Sequence, residues 1–546
     1  MCATSGYIGG HRDIPDVWLA RRVIHTVPAH SSDRLRELGL VAALALGLLA
    51  VLNLPYILAL TRTDGQVFGG SIVAVPDGHS YLAKMQLGAS GALLYTPRFT
   101  TEPGFGVILF TFYMALGHLA RMTGIAVPAL YQIARLVTGL FFLMTAYHVL
   151  RPLADTVAGR LKIWAFFFMA SGLGWLVTPL TGALSSDLWV AESIPLLSLL
   201  ANPHFPFAWA LLLWLLYTGL PAWSGPNLAW RSLRVAAIAF ILAEVYPMAV
   251  PTALVTLGAA GALEGLRRRT WSWQAVGPAL AAGFTTAPRL LYTAWIVRAQ
   301  PQIASWNVQN FSPIDGFPLV LAWAGLLLVL AGIGAGWALR SRAASERDRM
   351  WVLWLVVGIA AVYFPYELQR RLSLGVLFPM TPLAMLGWRN VLAPRLGRWA
   401  ATAPWPGAVV LVLSNVLVWA GALAAATSAN PEIFMSTAEA RAIAALPVDA
   451  VVVAAPELGG FIPTRSDARV VYGHAAETPE AEARRQAVLD FYAGRTPADW
   501  LDRFGVNRVF FGPREAALGP QPTLSDEWQL LSDDAGLRVY AREASP

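Results

Sequence analysis

The chain has 546 residues, 56% of them hydrophobic and 13% charged, with 22 Trp and a mean hydropathy of +0.53. A soluble domain of this size carries far more charged surface, so the composition excludes one. The formal charge of +7 is unevenly divided: residues 430–546 hold 17 acidic and 11 basic side chains, a balance of −6, which leaves +13 for the rest. That excess falls in short loops, where arginine sets membrane orientation rather than marking a nucleic-acid surface. The single cysteine, Cys2, excludes an internal disulfide and any cysteine-built metal cluster.

Residues 1–36 carry Arg12, Arg21, Arg22, Arg34 and Arg36 and read as a cytoplasmic segment. The first apolar run, 38–60, is too long for a signal-peptide core and no small-residue cleavage site follows, so it reads as an uncleaved anchor. Further runs predict helices near 105–123, 130–150, 162–180, 206–222, 232–245, 247–264, 276–297, 317–339, 350–366, 372–388 and 406–425. Arg151, Arg160 and Lys162, Arg231 and Arg234, Arg267 to Arg269, Arg340 to Arg349, and Arg389 to Arg398 mark cytoplasmic loops.

The run 105–123 conflicts with this. As a full crossing it puts the Arg151–Lys162 loop outside. As an interfacial or re-entrant helix it puts that loop inside and turns 232–264 into a hairpin bent near Pro247. The second reading is preferred. Both give eleven crossings and place the C-terminal part outside. The expected fold is an α-helical polytopic membrane protein with about eleven transmembrane helices over 37–428, in a prokaryotic plasma membrane. Segments 61–104, 181–206, the Glu244–Pro247 bend, 298–316 and the Glu367–Arg371 turn then share the outer face.

From 429 to 546 the chain reads as a small extracytoplasmic α/β domain. Ala450–Ala455, Arg508–Phe511 and Leu537–Ala541 are expected strands, and 479–492 and 497–504 expected helices. Leu458-Gly459-Gly460 lacks the spacing of a phosphate-binding glycine loop, so nucleotide binding is not expected. His474, in the turn Tyr472–Thr478, reads as structural.

The first outer loop holds the most chemistry. After Asp77 the spacing of Tyr81, Leu82, Met85 and Ala89 predicts an amphipathic surface helix. Asp77 is either the N-cap of that helix or a carboxylate at the membrane boundary that deprotonates an acceptor hydroxyl. A second cluster is Tyr366-Glu367-Leu368-Gln369-Arg370-Arg371. Two arginines at an outer boundary oppose the positive-inside bias. They form either a local pair with Glu367 or a bidentate site for a phosphate. His204 after Asn202-Pro203, Glu244 beside Pro247, Trp306 with Asn307, and Asn310 with Phe311 are further candidates for substrate contact. His79 is another, and Asp77, His79 and Glu102 together are a candidate set for a divalent cation such as Mg or Mn. No dedicated metal motif is present.

The long first loop with its acid, the helices after it, the many spans and the C-terminal domain resemble the GT-C superfamily of membrane glycosyltransferases. Locally, Gly117-His118-Leu119-Ala120 through Tyr131-Gln132-Ile133-Ala134-Arg135-Leu136 is similar to that family's stretch after the first loop. The resemblance implies an enzyme that moves a sugar from a polyprenyl-phosphate donor to a hydroxyl of a glycan, lipid or protein acceptor, with inversion, and the Arg- and Ala-rich composition with only two lysines, Lys84 and Lys162, fits a prokaryotic source. It implies Asp77 as the essential carboxylate with Glu102 as second candidate, and Arg370, Arg371 and Arg135 on the donor phosphate. The family's acid usually follows the first helix more closely and in a tandem pair, whereas here Asp64 precedes a lone Asp77. A transporter or lipid flippase, which would spread charges along a midplane path, and a noncatalytic scaffold are the competing readings.

Overall fold

The computed structural model describes residues 31–542 except 63, 103, 221–226, 314–316, 402–403 and 498. Arg12, Arg21 and Arg22 lie outside the described residues. The membrane part begins with α1 (Ser31–Leu52) and α2 (Leu54–Leu60), a break at Asn53 where the read-through helix 38–60 was expected. Pro55 causes it, since proline fits the first turn of a new helix but not the interior of a continuing one. The first loop holds β1 (Gln66–Phe68) and α3 (Val75–Ala89), followed by α4 (Thr111–Thr123) and α5 (Val127–Leu150). Next come α6 (Val157–Met169), α7 (Gly174–Thr181), α8 (Pro195–Leu200), α9 (His204–Gly219), α10 (Leu228–Val245), α11 (Ala249–Arg268) and α12 (Trp273–Ala299). The bundle ends with α13 (Pro301–Gln309), α14 (Phe317–Arg340), α15 (Glu346–Val362), α16 (Leu377–Gly387), the short α17 (Ala393–Leu396) and α18 (Pro404–Thr427).

Among the described residues six helices are long and apolar enough to cross a membrane: 32–52, 127–153, 157–181, 249–268, 323–340 and 407–427. Helix α4 has 13 residues, about 20 Å at 1.5 Å per residue, against a hydrocarbon core of about 30 Å. It is too short to cross alone. Arg151 and Arg160 both pair with Glu37 of α1, so the α5–α6 loop sits on the side where α1 begins. Arg267 pairs with Glu346, which joins the α11–α12 loop to the start of α15.

The C-terminal part adds β2 (Phe434–Ser436), α19 (Thr437–Ala444), β3 (Val451–Val453), α20 (Pro456–Arg465), β4 (Arg469–Val470), α21 (Ala481–Tyr492), α22 (Trp500–Arg503), β5 (Arg508–Phe511), α23 (Pro513–Ala516), β6 (Gln529–Asp534) and β7 (Leu537–Ala541). Five strands form one sheet in the order β4-β3-β5-β7-β6. β3 is parallel to β4 and β5, and β7 is antiparallel to β5 and β6. Val451, Val452 and Val453 are buried on both faces, as their uninterrupted apolar run predicts.

This domain is sewn to the first loop. β1 and β2 pair antiparallel, Val67 opposite Met435. Arg465 donates to the Phe68 carbonyl at 3.1 Å, and the Val470 amide to the Arg98 carbonyl at 3.2 Å. The Gly459-Gly460 pair serves packing. A Cβ on Gly459 would lie 2.1 Å from the Tyr472 carbonyl oxygen.

Helices α3 and α4 cross at a glycine contact. A Cβ on Gly117 would fall 2.1 Å from the Met85 carbonyl oxygen, and one on Gly88 would fall 2.4 Å from that of Met114. Both obstacles are backbone and cannot rotate away. Gly117→Val is therefore expected to destabilise the protein by about 1–3 kcal/mol, the usual cost of overpacking. Thermal unfolding of the detergent-purified variant measures it, and an unchanged midpoint would contradict the crossing.

Candidate functional site

The site is built where α3 meets the loops at one end of the bundle. Asp77 lies in the first turn of α3, but it is not the cap. That position belongs to Ala74, at φ +52°, and no side chain bonds the first turn. A non-glycine residue in the left-handed region is strained backbone, held by its surroundings. The Asp77 carboxylate is half-buried and sits where the helix dipole favours an anion.

One turn on from Asp77 is Tyr81, whose surroundings include Arg371 and Glu192. Its ring stacks on Tyr113 at 4.2 Å and meets His204 edge-on at 4.8 Å. His204 in turn takes a 2.6 Å hydrogen bond with the Tyr113 hydroxyl and stacks near Tyr246. The Tyr246 hydroxyl donates to the Arg371 carbonyl at 3.0 Å, so the bend between α10 and α11 holds the arginine turn.

Arg371 is buried and donates from Nη2 to Asn310 Oδ1 at 3.0 Å. Burial pushes its guanidinium down, but Tyr81, Tyr246, Glu192 and Asp77 outweigh it and the net shift is upward, so it remains cationic. Arg370 lies over the Trp189 ring at 4.2 Å and forms a 3.8 Å ion pair with Glu192, too long for a hydrogen bond. The Nε atoms of both arginines are buried without a hydrogen-bond partner, so each retains a donor in a region where an unmatched donor is costly. The five segments expected to share a face thus meet: the first loop, 181–206 through Glu192, the α10–α11 bend, 298–316 through Asn310, and the Glu367–Arg371 turn.

The remaining candidates lie apart from this cluster. Glu102 pairs with Arg484 of α21 at 3.2 Å and is largely exposed. His79 is buried against the Phe461 ring at 4.4 Å, facing the C-terminal domain. Asp77, His79 and Glu102 are therefore not gathered around one point, and among the described residues no group of three or more His, Cys, Asp or Glu side chains could hold a metal. Arg135 donates to the carbonyls of Leu199 and Leu200 and lies 3.7 Å from the Tyr56 ring centre, closing the end of α8. Glu244 binds Arg289 at 3.1 Å and Thr111 at 2.6 Å, clamping α10 to α12 and α4. Trp306 packs edge-on to Phe110 at 6.1 Å. Glu367 accepts from Asn307 at 3.2 Å rather than pairing with its neighbouring arginines.

Sequence reasoning missed Glu192, Tyr246 and Lys84. Glu192 had a signal: an acid within a stretch free of Lys and Arg between apolar helices. Lys84 had one too, as one of two lysines in the chain, on the helical face of Asp77 and Tyr81.

Burial, with His474 beside it, pushes the His79 imidazole down to about 3. The ordinary value is about 6.5. Folding therefore favours the neutral ring, and this contribution is fully present above about pH 6.5 and lost as the pH falls towards 3. His79→Phe, which keeps the contact with Phe461, is expected to flatten the acid loss of stability by a few kcal/mol. Thermal unfolding between pH 7 and pH 4 reads this, and parallel acid limbs for the two proteins would refute it.

No protein-family model matches the chain, and no curated protein matches it. Solved structures do. ArnT from Cupriavidus metallidurans in the apo state superposes with a TM-score of 0.51 at 14% identity, covering 94% of this chain and 99% of that one. The same protein bound to undecaprenyl phosphate gives 0.47 at 14% identity, over 91% and 98% of the two chains. The arabinofuranosyltransferase AftD from mycobacteria gives 0.49 at 16% identity, covering 93% of this chain and 40% of that one. At this identity the likeness establishes the fold, and it extends along nearly the whole chain. The chain is a multi-pass membrane protein that shares its fold with ArnT.

Proposed function

We propose that the protein transfers a sugar from a polyprenyl-phosphate donor to an acceptor hydroxyl on the extracytoplasmic side of the membrane. The observation that supports this best is that α3, which carries Asp77, packs Tyr81 against His204, which stacks near the Tyr246 that holds the Arg371 carbonyl, so the acid's helix and the arginine turn meet at one end of the bundle. One group accepts a proton and the other binds a leaving phosphate. Asp77 takes the proton of the acceptor hydroxyl, and that oxygen attacks the anomeric carbon. The carbon–oxygen bond to the lipid phosphate breaks, and Arg371 and Arg370 hold the departing anion. Attack opposite the leaving group inverts the anomeric centre. The phosphate leaves as a stable anion, so no strong general acid is required.

The test is to incubate the purified protein with a panel of polyprenyl-phosphate sugars and an extract of envelope acceptors. The reading predicts released polyprenyl phosphate together with a glycosidic bond of opposite anomeric configuration. Movement of the lipid across liposomes with no new bond would replace it with the flippase reading.

A further inference from the structure

A group of arginines without acids stands at the end of the bundle remote from the candidate site. Helix α14 begins after Asn310 and α16 begins after Arg371, so both run away from that site. Residues 323–340 of α14 span about 27 Å at 1.5 Å per residue, close to the thickness of a hydrocarbon core. At the far ends of the two helices Arg340, Arg342, Arg389, Arg395 and Arg398 are all exposed, and among the described residues none of them forms an ion pair. Glu346 and Asp348, the acids nearest in sequence, are engaged by Arg267 and by the Ser345 cap of α15. Arg340 donates to the Gly336 carbonyl of its own helix at 3.4 Å, and Arg395 donates to the Val391 carbonyl.

These two arginines border an open groove of about 530 Å³, within the range of roughly 300–1,000 Å³ usual for small-ligand sites. Gly332, Ile333, Gly336 and Trp337 of α14 line one side and Val391 lines the other. Val391 belongs to a π turn, Trp388–Leu392, a rare geometry that is frequent at functional sites. The glycines of α14 divide into two kinds. Gly334 is required by packing, since a Cβ there would lie 1.8 Å from the Leu383 carbonyl oxygen of α16. A Cβ on Gly332 would meet nothing within 4 Å, and one on Gly336 would meet the Arg340 guanidinium. Glycine weakens a helix interior, so two glycines that no neighbour requires leave a floor free for something else. An apolar floor beside two cations at a membrane boundary complements a ligand with a phosphate at one end and a hydrocarbon chain at the other. We propose that the groove binds an anionic phospholipid of the leaflet opposite the candidate site, with Arg340 and Arg395 on its phosphate and an acyl chain along Gly332 and Gly336. The lipid joins α14 to the segment 388–396, and the inference does not depend on the reaction proposed above.

The test titrates the detergent-purified full chain with phosphatidylglycerol or with phosphatidylcholine of the same chain length, read by native mass spectrometry. One phosphatidylglycerol is expected to bind about tenfold or more tightly than phosphatidylcholine, the scale of two arginine contacts with an anionic headgroup, and to raise the unfolding midpoint. Arg340→Gln combined with Arg395→Gln is expected to abolish that preference. Both side chains are exposed and bond only their own helical turn among the described residues, so the variant folds. Gly332→Leu keeps both arginines and fills the floor, where its added carbon displaces no protein atom, and it too is expected to lose the bound lipid. Equal binding of the two lipids by wild type would overturn the proposal. So would a preference that survives in either variant: survival in the arginine variant places the headgroup elsewhere, and survival in Gly332→Leu means that the arginines attract lipid without the groove.

Discussion

Asp77→Asn is expected to lower kcat by about 10²–10⁴-fold, the usual contribution of a positioned general base, with donor KM and thermal stability near wild type. Stability is spared because Asp77 caps nothing: Ala74 holds that position and no side chain bonds the first turn of α3. What the amide loses is the interaction of a charge with the helix dipole, typically 0.3–1 kcal/mol by rough count. Glu102→Gln provides the contrast. Its partner is Arg484 and its surface is open, so the pair contributes little and kcat should stay within about twofold, with both numbers taken from initial rates. Equal losses in the two variants would remove the distinction between them. A large fall in the unfolding midpoint of Asp77→Asn would mean that the residue is structural.

Arg371→Ala is expected to reduce kcat by about 10²–10³-fold, the effect of removing one charged donor from a developing anion, and to weaken donor binding as well. Its backbone carbonyl is held by Tyr246 and its side chain by Asn310, so the guanidinium is aimed before any ligand arrives. Arg371→Lys should recover little, because an ammonium supplies a point charge without the planar fork. Arg370 is already shared with Glu192, and Arg370→Ala should be the milder of the two. The comparison is made on kcat and KM for the same donor, and a milder Arg371→Ala would reverse the assignment.

Much of the bundle was legible because long apolar runs have few alternatives to membrane helices. The Glu244–Pro247 bend, the helix beginning after Asn202-Pro203 and the short helix near 105–123 all follow from local residue types. The joint between the first loop and the C-terminal domain was not legible. β1 and β2 are three residues each and pair across more than three hundred positions, and β4 has only two residues. Such segments have no periodicity of their own and exist because a distant partner is in register. The same reason separates the site residues that sequence grouped. Asp77 and His79 are two apart on a helix and therefore point to different faces, and His79 turns to Phe461. Arg135 bears the charge a phosphate site needs, but it lies where α8 ends in carbonyls that require a donor.

The most direct test of the central claim is the binding of one polyprenyl-phosphate sugar to wild type, Asp77→Asn and Arg371→Ala in detergent, measured beside single-turnover transfer. The account predicts that Asp77→Asn binds the donor as wild type does and does not transfer it, while Arg371→Ala binds it at least tenfold more weakly. Donor affinity unchanged in Arg371→Ala together with full transfer by Asp77→Asn, in folded protein, would contradict the account.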